Sequence, residues 1–293
     1  MTFALALPPA VTETTFGTRG LRGWRISTPA CQALVSAQGA QVLAFQARGH
    51  APLLWLSPQA LFQPGKAIRG GIPLCFPWFG PHPDDPARPA HGFGRLRDWH
   101  LVDAGTTGEA LQLELALDDD EATRSLWPHP FSARLRLTFG RSLGLRLTVT
   151  NTGPDDLPLG FAFHSYFPLA DSTAAHVEGL DGALYIDQVA AGRPRRHQDG
   201  LLRFSGETDR IYLFTSGSCR LVDEVNDRVV RLAAPECRSV ITWNPGPDKS
   251  ARLPDMGPEA WRGMACVESG NVEDDALRLP PGAARAFTLV LEQ

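Results

Sequence analysis

Four places in the chain set a potentially reactive polar side chain inside apolar or aromatic company. The first is residues 68–95, which read Ile-Arg-Gly-Gly-Ile-Pro-Leu-Cys-Phe-Pro-Trp-Phe-Gly, then a Pro/Asp-rich spacer, then His91-Gly-Phe-Gly-Arg95. Arg69, His91 and Arg95 lie there among Ile72, Leu74, Phe76, Trp78, Phe79 and Phe93. Pro removes a backbone donor and Gly adds backbone freedom, which argues against a regular strand or helix. A rigid loop presenting cations beside aromatic faces has the composition of a pocket wall, and a fork-shaped guanidinium matches phosphate or carboxylate. The second place is His164, alone among Phe161, Phe163, Tyr166 and Phe167. The third is Asp209, within Glu207-Thr-Asp-Arg-Ile-Tyr212. The fourth is Glu268, which ends the apolar part of Trp261-Arg-Gly-Met-Ala-Cys-Val-Glu268-Ser-Gly-Asn271. A buried carboxylate costs several kcal/mol unless it is paired or opens onto a wet cleft, so Glu268 belongs to an ion pair or to a pocket.

Taken singly, each residue also has a structural reading. A lone His among aromatics is more often a hydrogen-bonded core residue. Arg69 and Arg95 would serve equally as surface or sheet-edge charges, and Asp209 beside Thr208 looks first like a turn residue. Trp78 and Trp243-Asn-Pro read as core and turn. Several motif classes are missing: there is no GxGxxG or GxxxxGK[ST] loop, no HExxH, no His-x-His metal pair, and no G-x-S-x-G elbow.

Composition narrows the partners. A net charge of -4 gives no reason to expect nucleic acid or an anionic membrane. Among the 28 basic residues only Lys66 and Lys249 are lysines, so nearly every cationic contact falls to arginine. Arg193, Arg195 and Arg196 form the densest basic cluster and read as a solvated loop. The odd number of cysteines (Cys31, Cys75, Cys219, Cys237, Cys266), with no CxxC spacing, predicts buried free thiols in a reducing compartment. The apolar start of the chain lacks a basic n-region and is interrupted at Pro8-Pro9, so no signal peptide or membrane span is expected. A soluble, cytoplasmic, monomeric protein is the expectation.

The elements that must position these residues are strands. Residues 111–117 alternate strictly, and Phe131, Ala133, Leu135, Leu137 and Phe139 share one face opposite Ser132, Arg134, Arg136 and Thr138. After Gly140-Arg-Ser, Leu143, Leu145, Leu147 and Val149 alternate again, which predicts a β-hairpin. Residues 39–45 read as an early strand, 52–57 as a second short apolar run, and 118–126 as one or two helical turns with acidic residues at the start. Short candidates follow at 159–163, 211–215, 229–233, 240–243, 264–268 and 287–291. With no sustained 3.6-residue stripe, no βαβ rhythm, and Gly 28 plus Pro 25 supplying turns, the chain reads as all-β. Nothing polar enough for long enough divides it, so residues 1–293 are expected to form one domain of packed antiparallel sheets.

The combination is more specific than its parts. Arg69-Gly-Gly-Ile-Pro, His91-Gly-Phe-Gly-Arg95, Phe163-His-Ser-Tyr-Phe, Thr208-Asp-Arg-Ile-Tyr and Val267-Glu-Ser-Gly-Asn occur in that order. In this the sequence resembles the hexose-6-phosphate mutarotases (glucose-6-phosphate 1-epimerases), a branch of the aldose 1-epimerase group, from about Val35 to the C-terminus. The resemblance implies a galactose-mutarotase-like β-supersandwich with few helical turns. It implies His164 as general acid, Glu268 as general base, Arg69 and Arg95 as holders of the sugar phosphate with His91 beside them, and Asp209 as a partner of sugar hydroxyls. It implies a hexose 6-phosphate as the small-molecule partner, and neither cofactor nor metal. One departure stands out: the family usually has Gln before His-Gly-Phe, where this chain has Ala90.

Exchanging α and β anomers requires removing the O1 proton, protonating the ring oxygen, rotating about C1–C2 and reclosing. An acid and a base on the two sides of the C–O bond do this by exchanging roles, each contributing ~10²–10⁴-fold. A non-catalytic carbohydrate-binding protein of the same fold would have no use for a facing acid and base. A mutarotase for unphosphorylated aldoses would give the two arginines nothing to neutralise. A glycosidase would normally need two carboxylates flanking the bond, and Asp209 is a poor second to Glu268.

Overall fold

A computed structural model describes residues 5–82 and 84–293. Three sheets of four, eight and nine strands, together with a two-stranded ribbon, are all built from antiparallel ladders. The nine-stranded sheet contains the alternating hairpin, whose strands Phe131–Phe139 and Leu143–Asn151 pair from Phe131 opposite Asn151 to Phe139 opposite Leu143. The same alternation places Ala110–Asp118 beside it. Its apolar face is buried along the whole length (Leu113, Leu135, Leu137, Leu145 and Leu147 at 2% exposure or less), each Leu contributing about 1.5–3 kcal/mol.

The eight-stranded sheet packs its own apolar face into the same core. Its centre is the pair Ser239–Asn244 and Met264–Asn271, every residue of which is buried. Val240, Ala265 and Val267 join Phe161, Phe163 and Tyr212 in the main core. The residues between them point the other way. The order across this sheet is Arg195–His197, Leu184–Asp187, Thr208–Tyr212, Ser239–Asn244, Met264–Asn271, Phe161–Phe163 and Leu74–Cys75, with Tyr166–Pro168 also on Met264–Asn271.

Most expected strands form. The helical turn at Glu121–Leu126 is capped by Asp120, whose carboxylate accepts from the Thr123 N–H while the Thr123 hydroxyl accepts from the Asp120 N–H. Residues 52–57 form a partly buried apolar run rather than a strand. Leu53 and Leu54 are buried, but the segment has no ladder beyond a single bridge of Leu56 to Gly70. Its amides are instead used as anchors, Leu53 N–H to the Phe45 carbonyl and Trp55 N–H to the Tyr166 carbonyl. The four-stranded sheet begins earlier than alternation suggested, at Val11–Phe16, Leu21–Ser27 and Cys31–Ser36, where polar residues blur the period. The reading of the N-terminus rests partly on residues 1–4, which lie outside the described residues.

Among the described residues no helix is long and apolar enough to cross a membrane. All five cysteines are free and buried.

Candidate functional site

Register explains the site. On one side Phe163 lies opposite Ser269, and on the other Tyr166 lies opposite Cys266, with no slip between them. His164 is therefore directly across from Glu268, and their side chains stand on the face turned away from the core. The His164 Nδ1 and a Glu268 carboxylate oxygen are 3.2 Å apart, with 9% and 1% of the two side chains exposed. The approach is close but not aligned as a hydrogen bond. Nδ1 and the second carboxylate oxygen have no hydrogen-bond partner among the described residues.

Following the same ladders outward gives two rows across the sheet floor. Glu268 is opposite Ile241, Ile241 opposite Ile211, and Ile211 opposite Ile186. Two residues along, Tyr166 is opposite Cys266, Cys266 opposite Trp243, and Trp243 opposite Asp209. Motifs separated by up to a hundred residues thus become neighbours through hydrogen-bond register. The floor lies at the base of a cleft of about 1450 Å³, which Arg69, His91, Arg95, His164, Asp209 and Glu268 all line. Every residue expected from the sequence is brought together.

The rim is built by residues 68–95, which are as irregular as their glycines and prolines predicted; among the described residues only Leu74–Cys75 is strand and only Gly94–Leu96 a 3-10 turn. The loop is tied down by backbone bonds: Gly71 N–H to Trp55 O, Ile72 N–H to Val42 O, and Gly94 N–H to Phe76 O. It also receives the His164 N–H at Pro73 O and the Tyr166 N–H at Gly71 O, so the rim braces His164 itself. Gly71 has φ +64 and Gly92 φ +70, and a Cβ at either would stand about 2 Å from a carbonyl oxygen (Val42 O 2.2 Å, Phe76 O 2.0 Å). The Phe76 ring is packed edge-on by Phe93, Trp127 and Phe131.

Electrostatics separate the residues. Burial pushes the Glu268 carboxyl well above the usual range, helped by Asp209 and opposed by Arg95. Burial holds His164 well below the usual imidazole value, with His91, Arg95 and Arg69 acting in the same direction. These shifts favour neutral imidazole facing neutral carboxylic acid. His91 is pushed down to about 3 by burial and by Arg95 and Arg69. Its Nδ1 accepts from the Gly80 N–H at 3.3 Å, which leaves the neutral ring with a donor at Nε2. Asp209 is raised to about 6, chiefly by burial.

The two arginines differ. Arg69 makes a two-point pair with Asp255 (3.1 and 3.3 Å) and donates to the Tyr166 hydroxyl at 3.2 Å, and Tyr166 stacks on His164 at 4.7 Å. Arg95 donates to the Ala90 carbonyl at 3.0 Å, and among the described residues no carboxylate pairs with it. Its Nε is buried without a partner. Tyr166, Trp243 and Asp255 are cleft residues that sequence reading did not single out. Trp243 was read as core. Its place opposite Asp209 was hidden because strand pairing is non-local. His164, Cys266 and Glu268 bring possible ligand atoms within 4.8 Å of one another, but burial raises the proton affinity of the Cys266 thiol and the Glu268 carboxyl, and a cation would have to displace both protons.

Fold and site define an antiparallel supersandwich enzyme with a facing imidazole and carboxyl at the base of a wide cleft. The sequence profile of aldose 1-epimerase matches residues 23–292. A Salmonella typhimurium protein provisionally named glucose-6-phosphate 1-epimerase is 32% identical over 83% of this chain and 81% of its own length. The crystal structure of a provisionally named mutarotase from Salmonella typhimurium superposes with a TM-score of 0.90 at 28% identity, over 99% of this chain and 95% of that one. A galactose mutarotase related enzyme from Lactobacillus acidophilus shares the fold (TM-score 0.70, 15% identity, 92% and 96% coverage). The chain belongs to the aldose 1-epimerase family and is an isomerase.

Proposed function

We propose that this protein interconverts the α and β anomers of glucose 6-phosphate and related hexose 6-phosphates. The observation that carries the chemistry is His164 lying across from Glu268, with their reactive atoms 3.2 Å apart inside the cleft. A sugar-binding protein without catalysis has no reason to bury such a pair. The substrate reading rests on the named relatives and on Arg95, a cleft cation with no carboxylate of its own among the described residues. Arg69 contributes less to it than its sequence position suggested, because Asp255 already neutralises it.

In the forward step the Glu268 carboxylate takes the O1 proton and the His164 imidazolium protonates O5 as the C1–O5 bond breaks. C1–C2 rotation presents the other carbonyl face. Glu268, now a carboxylic acid, returns the proton to oxygen while His164, now neutral, accepts one from the ring hydroxyl. The shifts of Glu268 and His164 favour this second form, the one that serves reclosure. Phosphate binding at Arg95 removes one of the charges that depress His164, which raises its proton affinity when substrate is present. The phosphate also supplies remote binding energy that holds the ring between acid and base. His91 offers a neutral donor beside it, and Asp209 accepts from ring hydroxyls.

The same proposal treats residues 1–293 as one domain, since a single core cluster takes Val11 and Trp24 from the four-stranded sheet, Phe161 and Val240 from the eight, and Leu135 and Leu289 from the nine. A monomer in a reducing cytoplasm accords with the free, buried thiols. Magnetisation-exchange NMR of anomer interconversion is the test: acceleration for glucose 6-phosphate well above glucose and galactose is expected. Equal acceleration of all three would remove the phosphate from the reading.

A further inference from the structure

The second floor row continues one strand beyond Asp209. Strand Leu184–Asp187 pairs with Thr208–Tyr212 from Tyr185 opposite Tyr212 to Asp187 opposite Arg210. The next residue, Gln188, donates its backbone N–H to the Asp209 carbonyl at 2.9 Å, so the register carries on and Gln188 lies directly across from Asp209. Both line the cleft. The chain then turns sharply, because the Asp187 carboxylate accepts from the Val189 and Ala190 amides (3.2 and 3.1 Å), and this turn fixes where the Gln188 side chain starts.

The nearby side-chain cations are already engaged. Lys249 is held by Glu207 at 2.8 Å and Arg193 by Glu273. The Gln188 Nε2, in contrast, is enclosed and has no hydrogen-bond partner among the described residues. An enclosed amide donor left unmatched is destabilising, and that cost is recovered when a ligand supplies the acceptor. Beside it Asp209 supplies an acceptor, and at neutral pH its carboxyl, raised to about 6, is ionised.

Resting on the proposed sugar 6-phosphate reading, we infer that Gln188 is a further substrate-binding residue. It donates to one ring hydroxyl while Asp209 accepts from its neighbour, so the two strands together read a vicinal diol. The pair sits on the floor strands away from the acid–base pair, two and three strands across from Glu268 and one strand further from His164. It therefore selects among hexoses without taking part in the proton transfers. A site built to hydrogen-bond a hydroxyl discriminates strongly against the sugar that lacks it.

The test is binding, read by titration calorimetry, alongside anomer exchange by NMR. Glucose 6-phosphate and its 2-, 3- and 4-deoxy analogues are compared in the wild type and in Gln188→Leu. The expected result is that Gln188→Leu weakens glucose 6-phosphate roughly tenfold, raises KM to match, and leaves kcat and its pH profile within about twofold. One deoxy analogue that binds poorly to the wild type should bind equally to wild type and variant. Gln188→Glu, which keeps an acceptor and loses the donor, should show the same loss. Unchanged affinity in Gln188→Leu, or a fall in kcat at constant KM, overturns the inference. A wild type that binds the sugar phosphate without accelerating exchange overturns the proposed function instead, and the binding comparison still decides the role of Gln188.

Discussion

The floor and the rim of the cleft achieve precision by different means. On the floor, Glu268, Asp209 and Trp243 stand on strands of an eight-stranded sheet, His164 lies between two short strands of it, and hydrogen-bond register decides which side chains are neighbours. On the rim, Arg69, His91 and Arg95 stand on a loop with little ladder of its own, held by scattered backbone bonds and by glycines that allow close approach. The floor buries His164 and Glu268 and shifts their proton affinities; the rim leaves its two guanidinium groups partly exposed, although burial depresses His91 between them as well. Proton transfer needs the first environment, and capture of an anion from water needs the second.

The comparison breaks most sharply at Glu268. Glu268→Gln should lower anomer exchange ~10²–10⁴-fold with the fold intact. It should also stabilise the protein at pH 8 while leaving it nearly unchanged near pH 4. A carboxyl whose folded pKa is raised favours folding where it is protonated, and that contribution is lost as pH rises beyond the ordinary carboxylate range; Gln mimics the protonated form throughout. Exchange NMR and calorimetry at the two pH values check both halves. Near-normal exchange would take Glu268 out of the base role.

On the rim, Arg95→Ala should raise KM for glucose 6-phosphate by roughly 10–100-fold and leave that for glucose within about twofold. Because Arg95 lowers the proton affinity of both His164 and Glu268, both limbs of the pH–rate profile should move to higher pH in this variant. An equal change in KM for both sugars would show that Arg95 does not read the phosphate.

Arg69→Ala sharpens the contrast within the rim. It leaves Asp255 half-buried without its partner, so it should cost about 1–3 kcal/mol of stability, and the Arg69→Ala/Asp255→Ala double variant should recover part of this. Denaturant titration measures it, and additive losses would mean the two do not act as a pair. The smallest effect is expected at Ala90, an exposed residue whose carbonyl anchors Arg95. Ala90→Gln should change KM for the sugar phosphate by less than about threefold, because that anchor is backbone and survives any side chain there. A tenfold tightening would show that the missing side chain had mattered.

Much of this was legible in the sequence because the signals are local. Strict alternation in 111–117 and 131–149 marks strands, since side chains of a strand point alternately to two faces. The density of Gly and Pro in 68–95 marks an irregular loop. Polar residues standing alone in apolar runs mark His164 and Glu268, since burying such groups is costly without a purpose. Tertiary structure alone decided the partners. That Arg69 is neutralised by Asp255, that Trp243 faces the cleft, and that Gln188 lies beside Asp209 all depend on which strand lies next to which, and in what register. Register is set by the packing of one sheet face against a core drawn from the whole chain. A shift of one residue would turn Glu268 into the core and Val267 into the cleft, and no local pattern in either strand records which of the two was chosen.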